Sequence, residues 1–175
     1  MEKLIAHLSP TYFSPDSIIG GGERYAEELS RAMSSKVNVR FISFGPREIH
    51  EKITPSFERI ILKTRTKNKM MPFSERLLGA LRGVDVIHCH QYYVLSTFIA
   101  SLFGYITGKK IFVSDLGGGS WTPAYHIDQS RWIKAHLPIS QYAAKNLPGK
   151  NKNYTVIYGG VDTSFYLMRK KKEHD

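Results

Sequence analysis

Two hydrophobic periods take turns along this chain. Residues 3–9 (KLIAHLS) form a short apolar run that predicts a buried strand. Three glycines, Gly20, Gly21 and Gly22, then lead into a helical pattern. Tyr25, Ala26, Leu29, Ala32 and Met33 share one face of a 3.6-residue period. Residues 37–44 (VNVRFISF) alternate and are β-branched, predicting a second strand, and 56–63 (SFERIILK) a third. The stretch between them, with Pro46 and Pro55, reads as a polar loop. Leu77, Leu78 and Leu81 predict a helix over 74–82, and 85–90 (DVIHCH) a buried strand. Residues 94–106 are apolar nearly all round, yet shorter than the roughly 20 residues that cross a bilayer. They predict a helix buried on a sheet. Residues 110–116 predict a further strand, 127–136 a helix, and 137–140 a very short strand. Residues 141–147 form a helix stopped by Pro148 and Gly149, 154–158 a last strand, and 169–175 a charged tail.

Apolar strands alternating with helices are the mark of a parallel sheet covered on both faces. The expected fold is an open, doubly wound, Rossmann-like α/β domain with about seven strands. Such sheets bind ligands at the carboxyl ends of their strands. There the sequence places the glycine loop, then His88, His90, Gln91, Tyr92 and Tyr93. Asp115, Gly117, Gly118, Gly119 and Trp121 follow the fifth predicted strand, and Gly159, Gly160 and Asp162 the last.

Composition narrows the partners. A length of 175 residues fits one domain with its own core. The single cysteine, Cys89, excludes an internal disulfide framework and fits a reducing cytosol. No signal-peptide pattern opens the chain. A net charge of +10 points to polyanions, acidic membrane or phosphorylated ligands. Zinc-finger spacing and a base-reading basic helix are both missing, so nucleic acid is not expected. The basic run with Lys63, Arg65, Lys67 and Lys69 is either a solvated loop or a surface for anions.

The candidate chemistry starts with Gly20, Gly21 and Gly22. Glycine lets backbone N–H groups approach a ligand, and a helix N-terminus offers free donors and partial positive charge. The stretch therefore reads either as a phosphate site or as a plain turn. His88 and His90 lie two apart on one strand and so face the same way. With no third ligand at a recognisable spacing, no metal site is expected. Cys89 faces the opposite side as a small core residue. Asp115 either orients a hydroxyl or caps a turn. Trp121 and Tyr125 offer a stacking surface for a sugar or lipid, or pack a loop.

Three stretches taken together carry a resemblance: GGGERYAEELSRAM, DVIHCH and VIYGGVDTSFY. They resemble the N-terminal domain of the group 1, retaining, nucleotide-sugar-dependent glycosyltransferases of the two-Rossmann-domain (GT-B) type. That family includes sucrose synthases and bacterial mannosyltransferases. Its Pro-Asn-Gly-Val-Asp segment matches here with Tyr158 and Gly159 in place of Pro and Asn. The family's His-Gly pair after the fifth strand corresponds to Leu116-Gly117, so a histidine often assigned to the transition state is missing. By resemblance, His90 and Asp115 become the candidate catalytic residues. His88, Gln91, Gly118, Trp121 and Tyr125 become the candidate acceptor contacts, and the three glycines the donor-phosphate loop. The family's second domain, with its Glu-x7-Glu motif, has no counterpart in this sequence. The resemblance implies an acceptor-side domain over 1–166, a tail or linker start over 167–175, and a donor-binding domain elsewhere. It implies transfer of a sugar to a sugar or lipid-linked acceptor, inactive without that second domain or a partner subunit carrying it. No cofactor is expected, the nucleotide sugar being a substrate held mainly by the other domain. The expected location is cytoplasmic, with or without peripheral contact to an acidic membrane. The competing readings are a stand-alone sugar- or nucleotide-binding module without catalysis, and a flavodoxin-like nucleotide-binding domain.

Overall fold

The computed structural model describes residues 2–13, 20–64, 71–116 and 126–159. Its strands are β1 (Leu4–Tyr12), β2 (Asn38–Gly45), β3 (Ile49–Thr54), β4 (Phe57–Lys63), β5 (Val86–His90), β6 (Lys110–Ser114) and β7 (Ala135–His136). The helices are α1 (Gly21–Met33), α2 (Leu77–Ala80), α3 (Leu95–Ile106) and α4 (Gln141–Lys145), with a 3-10 turn at Gln129–Trp132. The strands form one sheet in the order β3-β4-β2-β1-β5-β6-β7. All neighbours are parallel except β3 and β4. From β1 the chain builds outward through β2 and β4, then returns to the other side of β1 for β5, β6 and β7. The strand order therefore reverses between β1 and β5, and a crevice at the carboxyl ends of the strands opens at such a reversal.

Alternation along each strand sorts its side chains between two layers. Ala6 and Leu8 of β1, Ile42 and Phe44 of β2, Ile87 and Cys89 of β5, and Ile111 and Val113 of β6 are buried under α2 and α3. The opposite layer packs Val39, Phe41 and Phe57 against Ala26 of α1. Ala26 and Ser30 form the fully buried stripe of α1, while Ala32 is exposed.

Several elements differ from expectation. The polar loop before β4 is mostly a strand, β3. It is exposed along its whole length, so it shows no alternation to read. Cross-strand pairs hold it: Arg59 to Glu51 at 2.6 Å and His50 to Glu58 at 3.0 Å. Charged residues on a sheet edge also discourage pairing with other chains. Residues 127–136 do not form a helix. Asp128 accepts from the Ser130 amide and caps a single 3-10 turn. The chain then joins β6, with the Lys134 and Leu137 amides each donating to a β6 carbonyl at 2.8 Å. The short strand is therefore Ala135–His136 rather than 137–140. Over 154–158 only one bridge forms, His136 to Tyr154. Helix α2 is one turn rather than the span 74–82.

Helix α3 lies on the sheet, but small and polar residues make the contact. Ser96, Thr97, Ala100, Ser101 and Gly104 are buried, while Leu102, Tyr105 and Ile106 are exposed. The reason is distance: a Cβ at Gly104 would lie 2.7 Å from Ile111 Cγ1. No helix among the described residues is long and apolar enough to cross a membrane.

Candidate functional site

The site is built where the strand order reverses. β1 and β5 run side by side with His7 opposite His88, and the pleat puts His90 on the same face. The three rings cluster, with centroids 4.3 to 5.2 Å apart. His7 Nδ1 and His90 Nε2 are 3.0 Å apart and share one proton between them in a hydrogen bond. His88 Nε2 meets Ser114 Oγ of β6 at 2.9 Å. Tyr25 of α1 covers the cluster edge-on, 6.3 Å from the His90 ring.

Burial governs the charge of these rings. It takes His88 down to about 4 from 6.5. Burial, then the neighbouring His88, holds His7 well below its ordinary value. Burial, then His88 and His7, does the same for His90. All three rings are thus neutral imidazoles at neutral pH, each with one N–H and one lone pair. Among the described residues, His7 Nε2 and His90 Nδ1 have no hydrogen-bond partner.

Beside His90 lies a pocket of about 190 Å³ lined by Ser9, Pro10, Thr11, Gly22, His90, Gln91 and Leu116. Its walls come from the end of β1, the first turn of α1, and the ends of β5 and β6. Ser9 and Thr11 hydroxyls bond to each other at 2.6 Å. Gln91 has φ of 139°, the one non-glycine with positive φ among the described residues. Such strain persists only where surroundings enforce it, and it clusters at functional sites. Here Thr97 Oγ1 donates to the Gln91 carbonyl at 2.6 Å, and Gln129 Nε2 to the next carbonyl, that of Tyr92, at 2.8 Å.

The sequence candidates divide accordingly. His90, Gln91 and Gly22 line the pocket. His88 is buried beneath it, 5% exposed, and reaches Ser114 instead. Asp115 is half-buried after β6 and is not a lining residue. The glycines do not form a separate loop: Gly20 is the extended N-cap of α1, and Gly21 and Gly22 are its first turn. Neither has positive φ. Among the described residues nothing lies within 4 Å of a Cβ at Gly21, whereas a Cβ at Gly22 would lie 3.4 Å from Leu116 Cδ1, within the pocket wall. Cys89 lies in the opposite layer, its thiol pushed up to about 12 by burial. Gly118, Trp121 and Tyr125 lie outside the described residues, as do Arg65, Lys67 and Lys69 of the basic run.

Sequence reasoning did not single out His7, Ser9 or Thr11. Their signal was the alternation of β1 itself, which puts His7 and Ser9 on the face away from Ala6 and Leu8. The sequence does not show that β5, rather than a nearer strand, lies beside β1.

Sheet, crossovers and a pocket at the order reversal define a Rossmann-like α/β domain. The model of Glycosyltransferase Family 4 matches residues 19–165, and the chain belongs to that family. Solved structures share the fold. HepE from Anabaena, in complex with UDP-glucose, has a TM-score of 0.63 at 11% identity over 93% of this chain and 45% of its own. The lipopolysaccharide outer core galactosyltransferase WaaB, in its apo form, has a TM-score of 0.56 at 16% identity over 90% of this chain and 46% of its own. Sucrose-phosphate synthase from Thermosynechococcus elongatus has a TM-score of 0.60 at 11% identity, covering 95% of this chain and 94% of that one. This chain spans somewhat less than half the length of the first two. No curated protein matches it by sequence search.

Proposed function

We propose that this domain is the acceptor-side half of a glycosyltransferase that moves a sugar from a nucleotide-sugar donor. The observation that carries this reading is the pocket at the β1–β5 reversal, lined by Gly22, His90 and Gln91. Gly22 brings the N-terminal turn of α1 to the pocket, where free backbone donors and partial positive charge favour a donor phosphate. His90 offers a neutral ring to an acceptor hydroxyl. Gln91, locked by Thr97, presents its side chain from a fixed backbone. HepE was solved with UDP-glucose, which supports a nucleotide sugar as the donor class. In this reading Asp115 is the second catalytic candidate beside His90, and His88, Gly118, Trp121 and Tyr125 are the further acceptor candidates.

Retaining transfer requires the nucleotide to be held and its leaving phosphate stabilised. In this reading those groups belong to a second, donor-binding domain. The test is transfer from radiolabelled UDP-glucose and UDP-galactose, with this chain alone and with a donor-binding domain supplied. Turnover is expected only in the second case. Turnover by this chain alone would overturn the division of labour.

A further inference from the structure

We propose that His7, His88 and His90 form a three-histidine site for a divalent transition-metal ion of the zinc class. One ring nitrogen from each histidine lies within 4.8 Å of the other two. The tightest pair, His7 Nδ1 and His90 Nε2, is 3.0 Å apart. Two nitrogens on a tetrahedral zinc ion, each about 2.0–2.1 Å from it, stand roughly 3.3 Å apart. A few tenths of an ångström of side-chain adjustment therefore opens the pair around an ion.

The surroundings suit such an ion. Imidazole nitrogen is a common ligand for borderline metals, and all three rings are buried. Ser114 orients His88 from behind: with His88 Nε2–H donating to its Oγ, His88 Nδ1 keeps a lone pair for the metal. His7 Nδ1 and His90 Nε2 already face each other across a single shared hydrogen bond, and an ion set between them would take the place of that bond while His88 supplies the third nitrogen.

The donor set also indicates the fourth ligand. No carboxylate or thiolate joins the three rings among the described residues. A bound ion thus keeps its charge and one open position, as three-ligand zinc sites do. His90 belongs to both the cluster and the pocket. Water, hydroxide or an anionic group from a pocket ligand would fill the open position. This inference is independent of the transfer reaction, since the site is defined without reference to a sugar.

The experiment uses the purified chain, stripped with chelator and then dialysed against Zn2+ or Co2+. Elemental analysis after gel filtration should give one ion per chain, and Co2+ should show the intense visible bands of tetrahedral coordination. His7→Leu, and as a second variant His88→Gln should the first fail to fold, should raise Kd at least about 100-fold. Ser114→Ala should raise it about 10-fold, the usual worth of a hydrogen bond that orients a metal-bound histidine. His50→Ala and His126→Ala, on surface histidines, should bind normally. Failure to retain an ion overturns the proposal. So does equal retention by the folded His7 and His88 variants, or loss confined to the His50 or His126 variants.

Discussion

The two faces of the sheet are made from the same strands and are buried to the same degree, yet they are built for different work. On the α2–α3 face, Ala6, Leu8, Ile87, Cys89, Ile111 and Val113 make a continuous apolar layer. One residue along, on the α1 face, the same strands present His7, His88, His90 and Ser114. The first face gains stability from excluded water and close packing. The second keeps polar groups in a dry layer, where each lacks water and depends on one or two fixed partners. A pleat with period two is what allows one strand to do both, and it places the chemistry directly above the core that holds it rigid.

The sharpest way to break this comparison is a matched pair of deletions. Leu8→Ala should cost about 2–5 kcal/mol, because it leaves a cavity in a packed layer. His7→Leu, on the next strand position, should change metal-free stability by less than about 1 kcal/mol. It removes one unpartnered nitrogen, His7 Nε2, and strands another, His90 Nε2. Urea unfolding of both variants gives the two values. Equal losses would show that the histidine face is merely another part of the core.

The apolar face carries one histidine near its edge, and pH separates its contribution. His136 of β7 sits in register with Val113, and neither ring nitrogen has a partner among the described residues. Burial, then the charge of Lys152, takes it to about 4 from 6.5. The folded state therefore binds fewer protons than the unfolded chain below 6.5, so stability falls as pH drops through the window from 6.5 to about 4 and levels off below it. Its share of the loss should be roughly 1–3 kcal/mol, and His136→Phe should make that part of the curve shallower, leaving the slope that His7, His88 and His90 contribute over the same window. An unchanged pH profile of melting temperature in the variant would assign the loss to other groups.

The site itself is tested by neighbouring glycines. Gly22→Val puts a branched side chain into the pocket wall beside Leu116. If the proposed transfer is reconstituted with a donor-binding domain supplied, this variant should lower turnover at least about tenfold, or about 1.4 kcal/mol of transition-state stabilisation. Gly21→Val meets no described residue within 4 Å and should leave turnover within about twofold. Normal turnover by a folded Gly22→Val protein would remove the phosphate role from this turn. The smallest effect belongs to stability: Gly21→Ala, in a helical turn with room for a Cβ, should raise it by up to about 1 kcal/mol, read as a small rise in melting temperature.

Much of this was legible along the chain. Short apolar runs separated by helical periods determined a parallel α/β sheet, because only burial on both faces tolerates such strands. The spacing of His88 and His90 determined that they face together, and Cys89 opposite, since the pleat admits no other arrangement. A strand exposed on both sides, such as β3, leaves no periodic trace, so only its cross-strand partners reveal it. The glycines were visible as a helix start. That Gly22 rather than Gly21 meets the pocket depended on where Leu116 arrives from the far side of β5. Most of all, His7 and His90 are separated by 83 positions in sequence. Their contact comes from β5 inserting beside β1 when the order of strands reverses. Sequence periodicity determines which face a residue takes within its own strand; which strands lie side by side is decided only when the whole sheet closes over its core.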